Sequence, residues 1–190
     1  MSTWNAVPRV STTTGAGEPS ASTGWWWDGA RAGLIGALAF LLAMGLDLLL
    51  LRRRTNDLRL LAGLVPGGRR HWPWLGTLMH CANGAALGIL YGRLVHRIPG
   101  PGWLRGLVFA LAENAILWPV IVLLDRIHPE IRAGRLEPFN RPVPFLQEVW
   151  RHVAYGLALG WTYDRLTGRT HPAPSDQPHR PLGTGTDVHA

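Results

Sequence analysis

The chain has no lysine and only one cysteine. Its positive charge comes from arginine alone: 19 residues against 12 Asp and Glu, for a net charge of +7. A lone Cys81 excludes an intrachain disulfide and reads as a small buried apolar side chain. Equally missing are a Walker loop, a dinucleotide fingerprint, an HExxH pair, a CxxC pair and a GxSxG nucleophile elbow. No sequence signature of an enzyme is left, and the reading leans away from one. A pI near 11.1 can signal nucleic-acid binding. Here the arginines flank apolar runs, as in Arg52-Arg53-Arg54 and Arg69-Arg70, so no nucleic-acid partner is expected.

What is present is apolar length. A mean hydropathy of +0.06 averages polar ends with a strongly apolar middle. The run Ala32–Leu51 has 20 residues and one charge, Asp47, between Arg31 and Arg52. At helical rise that is about 30 Å, one hydrocarbon core. Further runs are Trp74–Tyr91 without formal charge, Gly106–Leu124 with one carboxylate at Glu113, and Phe145–Tyr163, interrupted by Glu148 and Arg151. Seven of the ten tryptophans sit at or just before the start of a run, where an indole suits the headgroup boundary. The expectation is an all-α, polytopic four-helix transmembrane bundle with spans near 31–51, 73–93, 104–124 and 145–165, making a membrane domain over 28–167. The Ser, Thr, Gly and Pro-rich ends, 1–27 and 168–190, are expected to be disordered tails.

Ten arginines in the two long loops, against seven near the other span ends, put those loops in the cytoplasm and both termini outside. The expected location is a bacterial-type inner membrane. The expected partners are the bilayer, with anionic headgroups at Arg52, Arg53 and Arg54.

The second and fourth runs are near copies. HCANGAALGILYGRL from His80 matches HVAYGLALGWTYDRL from His152 at nine of fifteen positions, including His, two Gly, Tyr and Arg. Two crossings per copy make this a parallel duplication of a two-helix unit. His80, Gly84, Gly88 and Tyr91 fall on one helical stripe, with Asn83 and Leu87 beside it. The glycines Gly84, Gly88 and Gly92, and Gly156 and Gly160, form G-x-x-x-G contact faces, through which a homo-oligomer is expected.

Among the polar side chains within these runs, six form a candidate buried cluster: His80, Asn83, Glu113, Asn114, Glu148 and His152. Charged groups at such depth face the bundle interior and pair, or mark a pathway. The first reading is a structural clamp, with Glu113 and Glu148 accepting from His80, His152 or Arg151 to hold the two repeats together. The second is a proton or ion route using His and Glu. The third is a redox protein or enzyme. It would hold haem between His80 and His152, or a divalent metal on His80, His152, Glu113 and Glu148. No cofactor is expected under the first two. Pro119 is expected to kink the third span beyond Glu113.

The H-x-x-x-G-x-x-x-G-x-x-Y pattern of HCANGAALGILY and HVAYGLALGWTY resembles the small bacterial inner-membrane proteins of the YagU-like type. The resemblance implies a small helical membrane fold. It carries no assigned chemistry onto any residue.

Overall fold

The computed structural model describes residues 24–168. Four long helices carry the fold: α1 (Trp25–Leu51), α3 (Trp72–Leu94), α4 (Gly102–Ile127) and α6 (Pro142–Leu166). Two short ones lie in the long connections, α2 (Asp57–Gly63) and α5 (Pro129–Arg132). No strand occurs among the described residues. The helix limits follow local chemistry. Pro73 and Pro142 sit in first turns, where a missing N–H costs nothing. Asn56 caps α2 by accepting from the Arg59 N–H at 3.1 Å. Arg52 ends α1 in the left-handed region, φ 51°, with its N–H on the Leu48 carbonyl.

The four apolar runs lie inside these helices. The N-terminal boundary needs correction, because Trp25, Trp26 and Trp27 form the first turn of α1 instead of closing a tail. The two expected tails otherwise lie outside the described residues. α4 runs on through Pro119 without a break, although Pro119 has no N–H for the Ala115 carbonyl. Two helices, α1 and α4, are long and apolar enough to cross a membrane, with mean hydropathies of 2.5 and 2.2 over their most apolar stretches. α3 and α6 fall short because they carry His80 and Asn83, and Gln147, Glu148, Arg151 and His152.

α1 packs antiparallel on α3 and on α6, and α6 packs antiparallel on α4. The helices therefore stand in the order α3, α1, α6, α4. Glycines set two of the three contacts. A methyl added at Gly29 or Gly33 would run into the backbone of Gly88 or of Gly84 and Gly88. One added at Gly106 or Gly160 would meet Gly156 and Gly160, or Gly102 and Gly106. Each pair thus closes to backbone contact, with Ala37 against Gly84 and Ala110 against Gly156 extending the two seams. The faces of Gly84, Gly88, Gly156 and Gly160, expected as helix contacts between copies of the chain, pack here on helices of the same chain. Gly92 instead faces Tyr163.

The third contact, α1 on α6, uses large side chains. Phe40, Met44, Tyr155, Leu159 and Tyr163 form the core with Ala32. Tyr91 closes the end of the bundle nearest the described termini, meeting Phe109 and Tyr163 with ring centroids at 5.4 and 5.3 Å. A smaller core of Leu60, Leu136 and Phe139 fastens the connections over the opposite end. There Asp125 accepts from the N–H groups of Phe139 and Asn140 at 2.8 and 2.7 Å.

Candidate functional site

The Arg151 side chain, with no exposure at all, is the hub of the interior. Its Nε and Nη2 donate to the two Asp47 oxygens at 2.8 Å each. Nη1 donates to Glu148 at 2.8 Å and to Asp57 at 3.0 Å. Nη2 also reaches the Thr55 carbonyl at 2.9 Å. Gln147 extends the set, donating to Asp47 at 2.6 Å and accepting from the Thr55 hydroxyl at 3.0 Å. One guanidinium on α6 thus ties together α1, the turn after it and α2. A fork of five N–H donors suits such multidentate binding, and lysine could not reproduce it.

His152 lies one turn beyond Glu148 on α6. Its Nδ1 is 2.7 Å from the Glu148 carbonyl, an acceptor only, so Nδ1 carries a proton. Nε2 then faces Glu113 of α4 at 3.1 Å. His80 of α3 sits across the Phe40 ring, whose centroid lies 4.7 Å from His80 and 5.3 Å from His152. One ring nitrogen of His80 faces the Ala37 carbonyl, and Nε2 is buried without a partner.

His80, Asn83, Glu113 and His152 line one narrow cavity with Phe40 and Tyr155, of about 30 Å³, room for about one water. Asn83, Leu87 and Glu113 also border a wider apolar groove of about 630 Å³ between α3 and α4, open to the outside. Polar groups therefore form a column from Asp57 and Arg151, through Glu148 and His152, to Glu113. The Tyr91, Phe109 and Tyr163 rings stand beyond it.

The model of a family described as "Family of unknown function (DUF6789)" matches residues 26–173. The chain belongs to this family. The match spans α1 to α6, so the hub, the His–Glu pair and both glycine seams are contained in the DUF6789 region. No curated protein and no solved structure matches.

Four of the six polar residues singled out in the sequence come together at the cavity. Glu148 belongs to the Arg151 cluster and meets His152 through its carbonyl, with the carboxylate 4.0 Å from Nδ1. Asn114 is buried on α4 but lines neither the cavity nor the groove. Among the described residues no three His, Cys, Asp or Glu side chains converge as a metal-ligand set. Between the two imidazoles, where a macrocycle would lie, the Phe40 ring is packed. Of the arginines expected at headgroups, Arg53 pairs with Glu137 at 3.1 Å and Arg54 donates to the Gly134 carbonyl at 3.0 Å. Both are engaged by the chain itself. Of the hub, the sequence reading paired Arg151 with Glu148 but missed Asp47, Thr55 and Asp57, which lie 94–104 residues from Arg151. The available signal was opposite charge in two apolar helices, Asp47 near the end of one run and Arg151 near the start of another.

Proposed function

We propose that the chain is a four-span integral membrane protein of two tandem, similarly oriented hairpins, α1/α3 and α4/α6, whose buried polar column is a structural clamp and not an enzyme's active site. The observation that carries this is the inversion of a soluble protein's plan. A guanidinium with zero exposure sits at the centre, while Leu42, Leu49 and Ile116 are 74–76% exposed on the outside. Only 33% and 17% of the apolar stretches of α1 and α4 are buried, whereas a soluble core helix is mostly covered. α3 and α6 are read as completing the four spans because His80, Gln147, Glu148 and Arg151 are buried in the bundle, where charge in a membrane is found. Asn83, expected in the buried cluster, is instead exposed at the groove. The equivalent seams, Gly29 and Gly33 on Gly84 and Gly88, Gly102 and Gly106 on Gly156 and Gly160, support the duplication. The arginine bias favours the long connections in the cytoplasm, as in an inner-membrane protein.

The second reading, proton passage, is favoured by the Glu148–His152–Glu113 column and opposed by the aromatic layer that ends it. Liposomes under a pH gradient separate the two. With a clamp, wild-type protein leaks protons no faster than protein-free vesicles. A faster leak that Glu113→Gln abolishes, with helicity retained, would overturn the clamp in favour of conduction.

A further inference from the structure

The loop end of the bundle carries a second feature that the clamp does not use. Arg59 of α2, Arg69 of the 3-10 turn Gly68–His71, and Arg135 after α5 converge on one carboxylate, Glu130, and Arg70 of the same turn lines the same cavity. Arg135 binds it with two hydrogen bonds of 2.7 and 2.9 Å, and Arg69 and Arg59 lie 3.0 and 3.6 Å away. One carboxylate cannot neutralise three guanidinium groups, and Arg70, at the same cavity, has no acidic partner among the described residues. The four arginines surround an open cavity of about 450 Å³. A second cavity, of about 330 Å³, shares Arg59, Trp72 and Arg135 with it and adds Arg53, whose Nε is buried without a partner. The Arg59 guanidinium lies 4.6 Å over the Trp72 ring, which holds it between the two.

The rim of this basin is apolar. Leu64 and Val65 are exposed immediately before the turn that carries Arg69 and Arg70, and Trp72 opens α3 beside it. Excess guanidinium with exposed aliphatic groups and a half-buried indole matches a ligand that is anionic at one end and hydrocarbon at the other. We infer that the basin of Arg59, Arg69, Arg70 and Arg135 binds the phosphate headgroup of an anionic glycerophospholipid from the leaflet on the loop side. This rests on the membrane reading. It moves the headgroup site from Arg52–Arg54 to arginines that the chain leaves in excess.

The test is native mass spectrometry of detergent-solubilised full-length protein titrated with phosphatidylglycerol or phosphatidylcholine. Phosphatidylglycerol should be retained in preference. Arg70→Gln, which breaks no ion pair, should weaken it about five-fold, and Arg69→Gln with Arg70→Gln about twenty-five-fold. Arg165→Gln, on the other end of the bundle, should leave it unchanged. Equal retention of the two lipids overturns the proposal, as does an Arg70 variant that binds like the Arg165 one. Displacement by inorganic phosphate alone would identify a free-anion site and overturn the lipid assignment. The membrane reading fails separately, if an alkaline carbonate wash releases the protein from membranes.

Discussion

The two hairpins share a seam and differ in what they enclose. At positions 72 or 73 apart, Gly29, Gly33 and Ala37 of α1 correspond to Gly102, Gly106 and Ala110 of α4, and Gly84 and Gly88 of α3 to Gly156 and Gly160 of α6. His80 corresponds to His152, and Tyr91 to Tyr163. Yet Phe40 in the first hairpin stands where Glu113 stands in the second. Met79 corresponds to Arg151, and Gly76 to Glu148. Packing is repeated, whereas polar chemistry is not. The seam is a local demand of each hairpin, since helices meeting at backbone distance tolerate only glycine and alanine. The hub is a demand of the contact between hairpins, with Asp47 and Asp57 from the first and the guanidinium and Glu148 from the second.

Three experiments would break or sharpen this contrast. The largest effect is expected for Arg151→Met, which leaves Asp47, Asp57 and Glu148 buried without their cation, at a cost of about 3–5 kcal/mol. Thermal unfolding in detergent should show a collapse in stability. Met79→Leu, at the corresponding position, should do little. Comparable losses would mean that the hub is not what distinguishes the halves. Next come the seams. Gly33→Ala and Gly106→Ala should each cost about 1–3 kcal/mol and by similar amounts, since both methyls would meet backbone. Gly45→Ala on the same α1 has no neighbour within 4 Å and should be neutral or slightly stabilising. Unequal seam losses in chemical unfolding would end the equivalence.

The smallest effect is pH-dependent and confined to the connections. The Arg135 hydrogen bonds, with Arg69 and Arg59 nearby, hold the Glu130 carboxyl below its ordinary value of 4.5 against the opposing effect of burial. A folded value below the unfolded one means that the contribution is complete above about pH 4.5. It is lost as the pH falls through the lowered value. Hydrogen exchange should therefore show α5 loosening in acid before the long helices do. Glu130→Gln should flatten that dependence.

How much of this the sequence disclosed depends on the range of the interaction. The long apolar helices α1 and α4 were legible because an apolar run fenced by Arg31 and Arg52, or by Arg105 and Asp125, is a local pattern with a known length. The glycine stripes were legible as contact faces for the same reason. Their partners were not. Gly29, Gly33, Gly102 and Gly106 lie in runs of Ala and Leu where small residues carry little signal, and so the faces were assigned to a second copy. Arg151 and Glu148 interrupt the fourth run, and the sequence pairs them with each other in a clamp but offers no sign of Asp47 or Asp57 as further partners. Only the meeting of α1 with α6 converts that pair into a buried hub. His80 and His152 were placed at matching depth by helical rise, but the Phe40 ring between them follows from the way α1 inserts between α3 and α6.

The division of charge across the hub also has a meaning in time. During synthesis the first hairpin is complete before the second exists, and it presents Asp47 and Asp57 with no cation to meet them. The second hairpin brings the cation but not those acids. Neither half can reach a low-energy interior alone, while each can zip its own glycine seam. Assembly is thereby ordered: seams first, hub last. The closing of Arg151 onto Asp47 marks the moment at which both halves have arrived and been matched.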